Sequence, residues 1–305
     1  MRPIPFLYIF SILIWAGCNI SQNTYSSATR GTIQHHAAFA SQYVDARNVD
    51  IWLPPNYDKD VKKTYSVLIM HDGQMLYDST TTWNHQEWGV DETAEKLIQS
   101  GQTEPFVVVG VWNTPKRFVE YLPQQPALTF PDSLVNQLRN FKKADFQADN
   151  YLLFLTKELI PFIEKNYRVK TDKADRYIMG SSMGGLISLY AICQYPDVFG
   201  GAACLSTHWP VAFSNDHIIL PNTLINYFAN HLPDPKTHQI YFDYGTTTLD
   251  SLYEPHQLRM DAVMQAAGYQ QGKNWATRKF TGADHSEKAW RERLDIPLKF
   301  LLGSK

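Results

Sequence analysis

Only three cysteines occur in this chain of 305 residues, and no Cys/His spacing among them suits a zinc site. Cys193 and Cys204 fall in apolar stretches and read as buried free thiols. A surplus of one charge is also missing. The 28 Lys and Arg against 30 Asp and Glu leave a net charge of −2. Charge therefore gives no reason to expect nucleic acid or an anionic membrane surface as a partner. No internal repeat is visible, and no apolar run reaches the roughly 20 residues of an ordinary transmembrane helix. The longest, "PIPFLYIFSILIWAGC" (3–18), stops short and has the size of a signal-peptide core.

Ala16, Gly17 and Cys18 at the end of that run resemble a bacterial lipobox, although Trp15 departs from its usual aliphatic residue. The expected division is a leader over 1–17, a flexible polar tether over 18–31 starting at a lipidated Cys18, and one folded domain over 32–305. The expected location is the periplasm or outer membrane, with the membrane reached only through that anchor. The alternative is soluble secretion after cleavage at Ala28. At 44% hydrophobic and 19% charged, the rest is ordinary globular composition. It is rich in aromatics, with 8 Trp, 17 Tyr and 16 Phe, which suits a core and also a site that stacks sugars or aromatic acids.

Strand and helix signals alternate. "GTIQHHAAFA" and "RNVDIWLP" read as a hairpin. "YSVLIMHDG", "PFVVVGVWN", "RYIMG", "GAACLST", "HQIYFDYG" and "NWATRKFTG" read as later strands. Helical spacing covers 87–101, 149–167 with Asp149 as N-cap, the stretch after Ser182, and regions near 254–268 and 286–302. This predicts one α/β domain, a mostly parallel doubly wound sheet with helices on both faces. The proline-bearing stretches 114–148 and 208–236 read as irregular excursions over the edge of the sheet.

Between strand and helix lies "GSSMGG". Gly-x-Ser-x-Gly alone is a weak motif. In this context Ser182 sits at a sharp turn that presents its Oγ, beside helix-start N–H groups. A serine nucleophile needs a base and an orienting acid, in the chain order Ser, acid, His. His285, after the last strand in "FTGADHSEKAW", is the candidate base. Asp250 in the turn after "HQIYFDYG" is the candidate acid, with Glu254 the alternative; Asp243 lies inside that strand and Asp284 directly beside His285. The oxyanion donors expected are the backbone N–H groups of Met183 and Gln74, the latter made accessible by Gly73. Trp112, Arg117, His208 and Trp209 are candidate pocket walls. This chemistry needs no metal and no cofactor.

"VLIMHDGQMLYD", "EWGVDETAEKLI", "VVGVWNTPKRFVEYLP", "FLTKELIPFIEKNYRV", "YIMGSSMGGLISLYAICQYPDVFGGAACLS" and "DHSEKAWRERLDIPLKFLL" together resemble the putative-esterase (esterase D-like) branch of the α/β-hydrolase fold over roughly 45–302. The resemblance implies Ser182 as nucleophile, His285 as base and Gln74 as oxyanion donor, and leaves the acid open between Asp250 and Glu254. In "RFVEY", Arg117, Glu120 and Tyr121 either line the pocket or hold the long loop through an Arg–Glu pair. The implied function is hydrolysis of carboxylic esters through an acyl-enzyme. A small or oligosaccharide ester, acetylated or feruloylated, is the first expectation and a siderophore or other periplasmic ester the second. A binding lipoprotein that keeps the fold without the activity is the competing class.

Overall fold

The continuous apolar runs in the middle of the chain form strands buried on both faces. In the computed structural model, which describes residues 22–26, 31–142, 144–211 and 218–303, these strands are β4 to β8 of one sheet. The strands are β1 (Gln22–Ser26), β2 (Thr32–Phe39), β3 (Arg47–Leu53), β4 (Ser66–His71), β5 (Phe106–Val111), β6 (Arg176–Ser181), β7 (Gly201–Leu205), β8 (Gln239–Gly245) and β9 (Trp275–Phe280). Their order is β1-β2-β3-β5-β4-β6-β7-β8-β9. From β5 to β9 every neighbouring pair is parallel, and β1, β2 and β3 join antiparallel at one edge. The expected β2–β3 hairpin is present. The apolar leader and Cys18 lie outside the described residues.

Side-chain alternation divides the core in two. Val67, Ile69, Val107, Val109, Ile178, Ala202, Ile240 and Phe242 point to one face. Leu68, Met70, Val108, Met179, Ala203, Leu205 and Tyr241 point to the other. The second face is covered by α1 (Val90–Gln99), through Val90, Ala94 and Leu97, and by the C-terminal helix with Leu298 and Leu301. Over the first face pack the helices that the middle of the chain supplies.

There the structure departs from the expected loops. The stretch 114–148 contains α2 (Arg117–Tyr121), α3 (Gln124–Ala127) and α4 (Asp132–Lys142). Two of its four prolines stand at helix starts: Pro123 immediately precedes α3 and Pro131 immediately precedes α4. Next come α5 (Ala148–Leu153), a π-helical turn over Phe154–Leu159, and α6 (Ile160–Asn166). The N-cap of α5 is Gln147, not Asp149. Asp149 lies in the first turn, where its carboxylate accepts from Tyr190 Oη at 2.6 Å and Gln125 Nε2 at 2.7 Å. Then follows α7 (Met183–Gln194), buried along nearly its whole length. The second expected loop, 208–236, holds α8 (Ile219–Ala229) with Pro221 in its first turn. The chain closes with α9 (Glu254–Ala266), α10 (Glu287–Arg291) and α11 (Asp295–Leu302). A further departure is β1: five residues of the expected tether pair with the open edge of β2. An edge strand offers unpaired N–H and C=O groups that an adjacent extended segment can satisfy.

One ion pair ties the α2 segment to the sheet. Arg47 of β3 donates Nη1 and Nη2 to Glu120 at 2.9 and 2.7 Å, and both side chains are almost completely buried. The Arg47 guanidinium also stacks on Tyr151 and Phe154, 5.3 Å from each ring centre. Glu120 is therefore paired with Arg47 and not with Arg117, contrary to a pairing within "RFVEY". Removing one partner leaves an uncompensated buried charge, which costs about 3–5 kcal/mol. Glu120→Gln is expected to lose about that much in urea unfolding. The Arg47→Met, Glu120→Leu double variant should recover most of it. Strictly additive losses would show that the two side chains do not act as a pair.

Candidate active site

The parallel strands end on one side of the sheet, and the loops after β4, β6, β8 and β9 meet there. That is where open α/β sheets place ligands. Ser182, directly after β6, has φ 59° and ψ −122°, a sparsely populated conformation for a residue with a side chain. Neighbouring backbone holds it: its N–H donates to Leu205 O at 2.9 Å, and its carbonyl accepts from Gly185 N at 3.0 Å and His208 N at 3.2 Å. The turn is too tight for a side chain at Gly180, where a Cβ would lie 2.9 Å from the carbonyl carbon and oxygen of Gly184. Ser182 thus projects from a strained strand-to-helix turn at the start of α7.

His285 follows β9. Its Nδ1 lies 2.6 Å from Asp250 Oδ1. The Asp250 side chain is fully buried, and its other oxygen accepts from Gly245 N and Ser206 Oγ, both at 2.6 Å. Ser206 in turn accepts from Trp290 Nε1 and Arg293 Nη2, both at 2.9 Å. Backbone bonds join the two loops: Thr246 N and Thr247 N donate to Ala283 O, and His285 N donates to Thr248 Oγ1 at 2.9 Å. The indole of Trp290 meets the His285 ring edge to face, with centres 5.0 Å apart. The structure therefore brings Asp250, and not Glu254, to His285. Glu254 is half exposed and paired with Lys279 Nζ at 2.6 and 2.8 Å. Asp243 is buried against Arg293 at 2.8 Å, and Asp284 accepts from Ser286 Oγ.

Ser182 and His285 line a cleft of about 570 Å³ together with Gln74, Arg117, Trp83, Trp88, Asn113 and Trp290. Gln74 occupies a single 3₁₀ turn after β4, in the strand position beside β6. Gly73 allows this, since a Cβ there would lie 2.6 Å from the Gly110 carbonyl. Asp72, in left-handed conformation at φ 58°, anchors the turn. Its two oxygens accept from Arg117 Nε and Nη2, each at 2.7 Å, and from Asn113 Nδ2 at 2.6 Å. Burial works to raise the Asp72 carboxyl, but the adjacent guanidinium and these hydrogen bonds outweigh it and hold it below the ordinary value. Burial pushes the neighbouring His71 down to about 3, so this imidazole is neutral. Among the described residues no three His, Cys, Asp or Glu side chains form a metal-binding group.

Residues 41–301 match the family described as putative esterase. The chain belongs to that family. Curated relatives include the uncharacterized protein YbbA of Bacillus subtilis, 28% identical over 181 residues, 59% of this chain and 62% of that one. Another is an endo-1,4-beta-xylanase/feruloyl esterase of Xylanibacter ruminicola, 28% identical over 197 residues, 62% of this chain and 21% of that one. The matches thus span less than two thirds of those relatives' lengths. Among solved structures, a ferulic acid esterase superposes with a TM-score of 0.62 at 19% identity, covering 88% of this chain and 97% of that one. The enterochelin esterase of Shigella flexneri gives 0.61 at 18%, covering 88% and 57%. A ferulic acid esterase of the fungus Anaeromyces mucronatus gives 0.59 at 17%, covering 91% and 95%. At such identities the likeness is one of fold, the α/β-hydrolase fold.

Within this family member, Arg117 is the expected pocket wall that does line the cleft. Trp209 is fully buried, donates to Gln257 Oε1 at 3.1 Å and packs on Phe228 and Phe242, so it is core. Trp112 turns to Asp50 Oδ2 at 2.5 Å and meets the His35 ring. His208 is buried behind Tyr253, with its Nδ1 2.8 Å from Tyr253 Oη. Strand-end position alone does not say which way a side chain turns. Sequence reasoning missed Tyr253, whose hydroxyl meets the Ser182 side chain as well as His208, and the Trp83–Trp88 segment that forms one cleft wall.

Removing the Arg117 charge should invert the pH dependence that Asp72 gives to folding. In the native protein the Asp72 value lies below its unfolded one, so its contribution is present above the unfolded value near 4 and lost on acidification. With Arg117→Met, burial raises that value, and stability falls as pH increases through it. Urea unfolding at pH 5 and pH 8 should show a larger deficit at pH 8; an equal deficit would mean that Asp72 is not held by Arg117.

Proposed function

We propose that the protein is a serine ester hydrolase acting through an acyl-enzyme, with an acetylated or feruloylated carbohydrate as substrate. The observation that carries the reading is the buried Asp250–His285 hydrogen bond at 2.6 Å, in a cleft that also contains Ser182 on its strained turn. Family membership supports ester hydrolysis, and the relative from Xylanibacter ruminicola, an endo-1,4-beta-xylanase/feruloyl esterase, supports a carbohydrate setting.

In this mechanism Asp250 keeps the proton of His285 on Nδ1 and leaves Nε2 as the base. Ser182 Oγ attacks the ester carbonyl while Nε2 takes its proton. The N–H groups of Met183, the first residue of α7, and Gln74 hold the oxyanion, since helix-start N–H groups have no intrahelical acceptor. His285 then protonates the departing alcohol. Water, deprotonated by the same nitrogen, cleaves the acyl-serine and restores Ser182. Tyr253, bonded to His208, lies beside Ser182, whose hydroxyl turns to His285 when substrate enters, as resting hydrogen bonds in such sites tighten on binding. Export by the segment 3–18, with lipidation at Cys18, belongs to the same proposal and would bring the enzyme to extracytoplasmic polymers. The likeness in fold to an enterochelin esterase supports a siderophore ester as the second substrate class.

Ser182 should be labelled by a fluorophosphonate probe and should turn over p-nitrophenyl acetate, with both lost in a folded Ser182→Ala variant. An unlabelled wild-type protein without turnover would leave a binding protein in its place. Asp250→Asn should lower kcat by roughly 10⁴-fold. Glu254→Gln, exposed and paired with Lys279, should stay near wild type, and the reverse order would reassign the acid.

A further inference from the structure

Trp83 is the most exposed large apolar side chain among the described residues, at 83%, yet it lines the cleft that holds Ser182 and His285. An isolated surface tryptophan needs no explanation, but this one stands on a built support. Asp78 Oδ1 accepts from Thr80 N and Oγ1 at 2.8 and 2.6 Å, and Ser79 N donates to Glu87 Oε2 at 2.7 Å. Asn84 Nδ2 donates to Glu287 Oε2 at 2.7 Å, and Lys288 N donates to Gln86 Oε1 at 3.1 Å. Arg291 Nη1 donates to Glu87 Oε1 at 2.6 Å. The segment 78–88 is therefore fastened to α10, the helix that begins directly after His285 and Ser286. The residue before Trp83, Thr82, is buried, while the indole is turned outward.

Inside the same cleft lie Trp88 and Trp290, both buried, with ring centres 5.4 Å apart and planes inclined by 30°. Trp290 in turn touches the His285 ring. The cleft thus holds a buried aromatic stack against the imidazole and, separately, the open face of Trp83. On the segment of Trp83 and the helix that fastens it, the cleft lining also includes the polar Asn84, Gln86 and Glu287. A flat acyl ring fits an enclosed apolar slot. An open indole face beside amide and carboxylate groups suits a pyranose ring, whose C–H face packs on the indole while its hydroxyls meet polar neighbours.

We propose that Trp83 is a specificity-determining residue that stacks a sugar ring on the alcohol side of the scissile ester. The assignment rests on the ester-hydrolase reading given above. The pre-fastened segment makes the platform rigid before substrate arrives, which limits the ordering cost of binding.

The test compares wild type, Trp83→Ala and Trp83→Tyr on p-nitrophenyl acetate, on methyl ferulate and on acetylated xylotriose. It is paired with tryptophan-fluorescence titration of Ser182→Ala by acetylated xylotriose. Trp83→Ala should cost clearly less kcat/KM on p-nitrophenyl acetate and methyl ferulate than on acetylated xylotriose. On acetylated xylotriose it should lower kcat/KM on the order of tenfold, chiefly through KM, as loss of one stacked ring predicts. Trp83→Tyr should restore most of it. An unchanged value on the trisaccharide, or no binding of it by Ser182→Ala, overturns the proposal. An equal loss on methyl ferulate also overturns it, by moving the platform to the acyl side. If Ser182→Ala binds the trisaccharide in a Trp83-dependent way while the wild type turns over no ester, the sugar platform stands and the hydrolase reading falls.

Discussion

A carboxylate with no exposure to water has to be satisfied completely by its surroundings, and Asp250 imposes that demand on this fold. An unpaired charge there would be prohibitively costly, so the site must supply donors from several directions. His285 comes from the loop after β9, Gly245 from the end of β8, and Ser206 from the end of β7. Ser206 donates to Asp250 while it accepts from Trp290 and Arg293, and Arg293 is itself neutralised by Asp243 in β8. One buried charge thus fixes the relative positions of three strand ends and the last part of the chain. The His285 ring is oriented as a consequence, by Asp250 at Nδ1 and by Trp290 at its edge.

The opposite wall follows a second version of the same logic. Asp72 also carries a largely buried carboxylate, and Arg117 and Asn113 satisfy it from the segment after β5. Fixing Asp72 fixes the turn that carries Gln74. Arg47–Glu120 repeats the device one layer deeper and holds α2, the helix that bears Arg117. Charges therefore organise the loops, while the apolar alternation of the strands organises the sheet. A serine backbone at φ 59° persists because both sides of its turn are held in this way.

Strand-helix alternation, the hairpin and the sheet class were legible in the sequence because buried parallel strands are long apolar runs. That Ser182 and His285 share one cleft, and that Asp250 and not Glu254 meets His285, followed from chain order and from which residues lie in turns. The helices of 114–148 were hidden because prolines that begin helices look like prolines that end them. The edge strand at 22–26 was hidden because a polar sequence carries no apolar alternation to mark a strand. Side-chain direction was the main failure within the cleft. Trp112, His208 and Trp209 all follow strand ends, and each turns away from the cleft toward a polar partner, Asp50, Tyr253 or Gln257. Such partners are distant in sequence, at separations of 62, 45 and 48 residues, and leave no local signal.

The same contrast explains why Trp83 differs from the other tryptophans of the site. Trp290 has a partner for its indole N–H in Ser206, and it packs on Trp88 and His285. Trp88 shares that buried stack and lies in the segment whose sequence matches the helix start at Val90. Both indoles are needed to hold the imidazole and the wall behind it. Trp83 holds nothing of that kind, since its neighbours Thr82, Asn84 and Glu87 make the bonds that shape the segment. An indole that the fold does not require, carried on a segment that the fold makes rigid, is free to be matched to what enters the cleft. The rigid part of this cleft is thus the set of groups held around Ser182, His285 and Asp250, and Trp83 is a side chain that the core leaves unused.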